Sequence, residues 1–404
     1  MLALRTSCKM LAPTLATHTV VIGGGIIGSS SLYYLARHPG RPAGSTITLI
    51  EACNEVAPGA SGKAGGFLAL DWHGIETASL AELSFKLHRE LADAGNGKER
   101  WGYRDVETLQ VHLDTTKSRS KCPKELDWVD SKIVTSTSSM GGGGTTAQVT
   151  PKHLVQYLVE EACKQPGVSV RLGTRATSLE TTFNGAVKAL TVTDSVGKEE
   201  SLPIDRLVVA AGPWTGKLLA PSLIPCQSPS LSDSRTAKII RKAQSIDGSR
   251  AHSIIVRGTR PTSNHCLFTE MRYGPGGRKA GAPEVYARSD DTVYVCGGSD
   301  DVPLPLSADE VCYDPKKTKE LIEQARVISP DVLGADAAVV AEQACYLPCG
   351  NGPPVVDGSP ATGLYVAAGH TCWGITLGPG TGKVIAELIY DGEAKSADIQ
   401  LLMV

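Results

Sequence analysis

The chain has no strong excess of charge of either sign. Its 40 basic and 42 acidic side chains leave a net charge of −2 at pH 7, which excludes an electrostatic footprint for nucleic acid or an anionic membrane surface. No apolar run approaches the roughly 18–20 residues of a membrane span, so a soluble protein without a transmembrane segment is expected. The eleven cysteines include no C-x-x-C pair and no metal-ligand spacing. An odd, scattered set argues against a disulfide framework or a zinc site and suits reduced thiols in the cytoplasm. No repeat of solenoid or propeller period is present, and the ending Gln-Leu-Leu-Met-Val is no peroxisomal address. Residues 1–17 carry Arg5 and Lys9 but no acid. They read as a disordered leader, with a weak mitochondrial presequence as the alternative.

What is present is glycine, 43 residues in 404, and its placement is informative. Residues 19–28 run an apolar strand into a turn holding Gly23, Gly25 and Gly28 at G-x-G-x-x-G spacing. A helix through about Ala36, a second strand (45–50) and Glu51 follow, the acid lying about 20 residues beyond the turn. Such a turn lets backbone amides and a helix N-terminus face a pyrophosphate. A carboxylate closing the second strand accepts hydrogen bonds from an adenosine ribose and repels a 2′-phosphate, leaving FAD and NAD open.

Two further strand-to-glycine junctions occur at 206–213 and 363–370. Ligands in open α/β sheets lie beyond the carboxyl ends of the strands, so all three junctions are expected to meet. The pattern predicts an α/β fold: a Rossmann-type nucleotide-binding domain assembled from discontinuous segments, with a β-rich (α+β) second domain. Residues 18–95, 146–222 and 341–395 are assigned to the first, and 96–145 and 223–340 to the second. Residues 76–94 have helical periodicity through Leu80, Leu83, Leu87 and Leu91. Helices are expected at 150–164, 316–328 and 381–390, and a hairpin at 284–296. Residues 58–66 read as an ordered loop, 98–140 as largely irregular and 222–252 as a linker or surface excursion.

Five blocks carry a resemblance: VVIGGGIIGSSSLYYLA (20–36), GASGKAGG (59–66), AQVTPKHL (147–154), RLVVAAGPWT (206–215) and GLYVAAGHTCWGITLGPGTGKVIAELI (363–389). The chain resembles the D-amino-acid-oxidase-like family of FAD-dependent oxidoreductases, in the branch of glycine, sarcosine and fructosyl-amino-acid oxidases. Within it the chain is similar to fungal oxidoreductases linked to endosomal sorting. The resemblance implies FAD, with Gly23, Gly25, Gly28 and Glu51 on its adenosine diphosphate half. Ser61, Gly62, Lys63, Ala64 and Gly65 would line the flavin and ribityl chain, with Gly212 touching the cofactor from the second junction. Gly369, His370, Gly374, Ile375 and Thr376 would pass beside the isoalloxazine, His370 also being a candidate proton carrier. Cys345 falls where one branch attaches FAD by a thioether, although many relatives bind it without a covalent link.

The implied reaction is oxidation of a C–N bond in a small amine or amino-acid-like substrate by hydride transfer, with O2 or another electron acceptor. Two departures bear on it. Leu347 stands where glycine oxidases carry a carboxylate-gripping arginine, leaving Arg272 or Arg288 as substitutes. Residues 292–296 lack the lysine that sarcosine oxidases place over the flavin. An NAD-dependent dehydrogenase and a flavin-binding protein acting mainly through partners in endosomal traffic are the alternatives.

Overall fold

The computed structural model describes residues 16–117, 122–220 and 235–404. Most of the expected leader (1–15) and residues 222–234 of the expected linker lie outside the described residues.

The short apolar runs Val20–Ile22, Ile47–Ile50 and Leu207–Val209 are buried on both sides, as strands of a covered parallel sheet must be. They belong to a six-stranded sheet in the order Val355–Ser359, Leu364–Ala368, Arg206–Val209, His18–Ile22, Thr46–Ile50 and Val168–Arg171. Neighbours are parallel except for the outermost pair, Val355–Ser359 with Leu364–Ala368. One face is covered by helices Ile26–Arg37, Ala78–Gly95, Pro151–Cys163 and Gly374–Tyr390. Leu32, Leu80, Leu154 and Val384 meet there in a single core. The other face is covered by a three-stranded antiparallel sheet, Thr174–Thr181, Val187–Asp194 and Glu199–Pro203, and by helix Arg235–Gln244.

A second, eight-stranded sheet is nearly all antiparallel. It runs Ala338–Cys349, Asp247–Arg257, Thr292–Asp300, Glu284–Ala287, His265–Tyr273, Glu107–Asp114 and Val134–Gly141, with Lys279–Gly281 added beside His265–Tyr273. Helix Pro315–Ile328 buries Leu321, Ala325 and Ile328 against it. The fold is the expected α/β class, its nucleotide-type sheet built from separated segments.

The structure differs from the sequence reading in several places. Within the expected linker 222–252, Arg235–Gln244 form a helix and strand Asp247–Arg257 begins, because Thr236, Ala237, Ile239, Ile240 and Ala243 form a buried helical stripe despite the surrounding charge. That helix, assigned to the second domain, packs on the six-stranded sheet of the first. The 98–140 stretch contains strand Val134–Gly141, whose half-exposed, Ser/Thr-rich sequence carries little hydrophobic signal. Residues 341–349, assigned to the first domain, pair with Asp247–Arg257 in the second sheet. The last helix starts at Gly374 rather than 381, through the glycines and Pro379 that read as a turn.

That early start has a specific support. Pro379 has no N–H to give the carbonyl of Ile375, and His88 Nε2 donates to that oxygen instead, at 2.8 Å. His88 is 1% exposed, and burial lowers its pKa to about 4, so it is neutral and its Nε2 carries the hydrogen that a carbonyl acceptor requires.

Candidate functional site

The three strand-to-glycine junctions open onto one cavity of about 680 Å³, between the six-stranded sheet and the large sheet. At the first junction Gly23 has φ +110°, and an added Cβ would stand 2.4 Å from the Ala210 carbonyl oxygen, so no other residue fits this turn. Gly28 is not on the cavity wall. It lets helix Ile26–Arg37 press on the turn, a Cβ there falling 1.9 Å from Gly23 O. Gly25 lines the cavity beside Ser61, whose Oγ accepts the Ile26 N–H at 2.9 Å and so satisfies one amide of the helix N-terminus.

Glu51 also faces the cavity. Its Oε2 accepts the Gly24 N–H at 2.7 Å and its Oε1 the Cys53 N–H at 2.9 Å. Burial raises its pKa, while the hydrogen bonds it accepts pull the other way.

In the 59–66 segment, expected as a loop, Ala60–Lys63 close one short helical turn. Ser61, Ala64 and Gly65 line the cavity. Gly62 instead makes the turn against Ala57 O, and Lys63 clamps the segment to the large sheet, its Nζ donating to Ala344 O at 3.0 Å. Gly212, Gly369, His370, Gly374 and Ile375 complete the wall from the other two junctions. Thr376 points elsewhere, its Oγ1 donating to Phe67 O.

His370 is 1% exposed and its Nε2 lies 3.0 Å from Thr381 Oγ1, while Nδ1 has no protein partner. Burial lowers its pKa to about 4, so the ring is neutral at physiological pH. Cys345 lines the cavity with its thiol pushed up to about 11 by burial, Lys63 opposing weakly. Leu347 is on the wall as well.

Arg272 and Arg288, expected as substitute carboxylate anchors, do not line the cavity. Arg272 is exposed near the end of its strand, between Asp114 and Ala280 of the flanking strands. Arg288 is buried behind the wall, donating to Ala64 O at 2.9 Å with its guanidinium over the Tyr294 ring. By alternation Arg272 shares a strand face with Phe268, and Arg288 with Glu284 and Tyr286, but both fall beyond the cavity wall along the strand.

Sequence reasoning missed the aromatic chamber at one end of the cavity. Phe67, Trp72, Phe268, Tyr286, Tyr294 and Trp373 line it together with Glu284. Phe67 touches Trp72, Phe268 and Tyr286 at ring-centre distances of 5.1, 5.4 and 5.6 Å. Tyr286 stacks on Tyr294 at 5.9 Å. Gly65 makes this packing possible, since a Cβ there would lie 2.4 Å from Tyr286 Cδ2 and 2.8 Å from Tyr294 Cδ1. Tyr286 donates its hydroxyl to Glu284 Oε2, and the Cys296 thiol donates to the same oxygen at 3.6 Å. The signal was available: Glu284 and Tyr286 alternate on one hairpin strand opposite Cys296 and Tyr294, and such pairs share a sheet face.

Comparison with known proteins agrees with this geometry. The family model described as DAO, FAD dependent oxidoreductase, matches residues 18–388. A Schizosaccharomyces pombe protein provisionally named an oxidoreductase is 38% identical over 397 residues, covering 95% of this chain and 96% of the relative. A Saccharomyces cerevisiae protein of similar name is 27% identical, covering 95% and 94%. Among solved structures, glycine oxidase from Bacillus cereus superposes with TM-score 0.70 at 18% identity, over 96% of this chain and 97% of its own. L-proline dehydrogenase from P. horikoshii gives TM-score 0.70 at 15% identity, over 96% of each chain. With the match extending across all three glycine junctions, the chain belongs to the DAO family of FAD-dependent oxidoreductases.

Proposed function

We propose that this FAD-dependent oxidoreductase oxidises a C–N bond of a small amine or amino-acid-like molecule, by hydride transfer from the carbon beside nitrogen. The observation that carries this reading is the continuity of one cavity from Glu51 to an aromatic chamber. That shape suits a long dinucleotide with a compact substrate at its far end. An NAD-dependent dehydrogenase rested on the first motif alone and gives way to the family match over residues 18–388.

The residues present fit FAD. Gly23, Gly25, Glu51 and Ser61 would take its adenosine diphosphate half, Ala64, Gly65 and Gly212 its middle, and Gly369 through Ile375 its ring. Gly28, Gly62, Lys63 and Thr376 would support that cradle from behind. The unpartnered His370 Nδ1 is a buried ring nitrogen on the wall that the protein leaves unsatisfied. FAD, when bound, supplies the two-electron acceptor.

The chain supplies positioning and electrostatics. The N-terminus of helix Gly374–Tyr390, at the cavity wall, offers amides and a positive dipole end where negative charge develops. The aromatic rings exclude water and restrict the substrate's approach. Neutral His370 serves as a hydrogen-bonding neighbour of the cofactor rather than a proton donor. The overall reaction also requires an electron acceptor, O2 or another. Turnover screens over amines and amino acids, run in parallel with oxygen and with a dye, test the reading. A carbonyl product together with the released amine is expected. A folded, FAD-loaded protein that turns over no amine under either condition contradicts it.

A further inference from the structure

Aromatic side chains are scarce in this chain, with four Phe and five Trp among 404 residues. Two of each nevertheless converge on the chamber: Phe67, Phe268, Trp72 and Trp373, joined by Tyr286 and Tyr294. Trp72 is the hinge of the cluster, with ring centres 5.0 Å from Phe268 and 6.3 Å from Trp373. Among the described residues, Glu284 is the charged side chain on this part of the wall.

Among the described residues, no positive side chain lines the chamber. The cavity's own cations are Arg175 and Lys217. Arg175 donates to Leu306 O and follows Thr174, whose amide binds Glu51 O, which places it at the opposite end. Lys217 Nζ is held by Leu304 O at 2.7 Å. His252 accepts the Asp314 N–H on Nε2, and its other nitrogen faces Gly298 O. Arg288 lies behind Tyr294 with Ala64 O as partner.

A carboxylate ringed by aromatic faces attracts a cation twice over, through the anion and through the ring quadrupoles. The same wall repels a substrate carboxylate, which would meet Glu284 with no guanidinium to receive it. We infer that the chamber selects a carboxylate-free organic cation, the protonated form of an N-alkylated amine, with Glu284 as its counter-ion. This rests on the reading of the site as an amine-oxidising centre. The proton that must leave nitrogen before hydride transfer has an acceptor in the same group. The N–H bond breaks, an O–H bond forms on Glu284, and the electron pair stays on nitrogen.

The test uses FAD-loaded enzyme and two inert probes of equal ring size and opposite charge, benzyltrimethylammonium and benzoate. Each is titrated while the visible flavin band is recorded, with calorimetry as a second readout. Saturable binding of the ammonium, and benzoate weaker by about tenfold or more, is expected. Glu284→Gln keeps an acceptor for the Tyr286 hydroxyl and should weaken the ammonium about tenfold or more while FAD content stays unchanged. Benzoate binding as tightly as the ammonium in the unmutated enzyme overturns the inference without any variant, as does an E284Q protein of full FAD content that binds the ammonium normally. The two readings fail separately. Oxidation of carboxylate-bearing amines alongside tight benzoate binding would remove this inference and leave amine oxidation standing. Glu284-dependent ammonium binding with no amine ever oxidised would remove the oxidation reading instead.

Discussion

Single side chains in this cavity divide into those that hold backbone and those left free for ligand. Glu51 does both, fastening Gly24 and Cys53 amides while facing the cavity. Glu51→Leu should leave two amides unpaired at about 1–3 kcal/mol each. It should lower both the melting temperature and the FAD affinity, read by thermal denaturation and by flavin titration of the apoprotein. Cys345 is a thiol rather than a thiolate at neutral pH, burial having pushed it up to about 11, and the thiolate is the nucleophile. Acid precipitation is therefore expected to leave the yellow colour in the supernatant. Colour retained in the pellet would show a covalent link. At this scale the sequence was legible where chemistry follows from spacing, as with Gly23, Gly25 and Glu51. It was not legible for Arg272 and Arg288, which alternate onto the same strand faces as Phe268 and Tyr286 but fall beyond the cavity wall, whose extent only the tertiary assembly sets.

At the scale of elements, the helix Gly374–Tyr390 is the part the sequence disguised. Its glycines and Pro379 read as turns under local propensity, yet the helix is nearly all buried, and burial overrides propensity. Small residues are what allow it to pack tightly: a Cβ on Gly382 would lie 2.3 Å from the Ser30 backbone. The carbonyl freed by Pro379 is held by His88 from helix Ala78–Gly95. His88→Leu should therefore cost about 1–3 kcal/mol by orphaning Ile375 O. It should also perturb the flavin spectrum, because Ile375 lines the cavity. Denaturant titration with the visible spectrum checks both. An unchanged midpoint would mean that the helix does not need this bond. By contrast, helices 78–95, 151–163 and 315–328 announced themselves, since each is amphipathic with one face toward a core.

For the whole molecule, two fully buried histidines set a pH response. His88 and His370 have folded pKa values of about 4 against an ordinary value of 6.5. Between those limits the unfolded chain binds more protons than the folded one, so stability rises with pH through the window and is lost on acidification. A separation of this size corresponds to about 3 kcal/mol per histidine. The acids Asp300 and Asp114, held low by Arg250 and by Thr116, act in the same direction at lower pH. Glu51, held high by burial, works against it. Thermal denaturation should show a midpoint falling steadily from pH 6.5 toward 4, and a flat profile would contradict the burial of the two rings.

The overall architecture was readable because three apolar strands ending in glycine can satisfy both burial and ligand approach only by converging at one sheet edge. The chamber wall was not, because its residues come from segments 67–72, 268, 284–294 and 373, and only tertiary pairing assembles them. No helix among the described residues is long and apolar enough to cross a membrane. What the assembled cavity does to an amine decides the proposed function. The most direct measurement is anaerobic mixing of the FAD-loaded protein with a panel of N-alkylated amines while the visible flavin band is followed. Loss of that band on mixing, with recovery when an electron acceptor is admitted, is the predicted result; a band that persists with every amine, in folded protein of full flavin content, would contradict it.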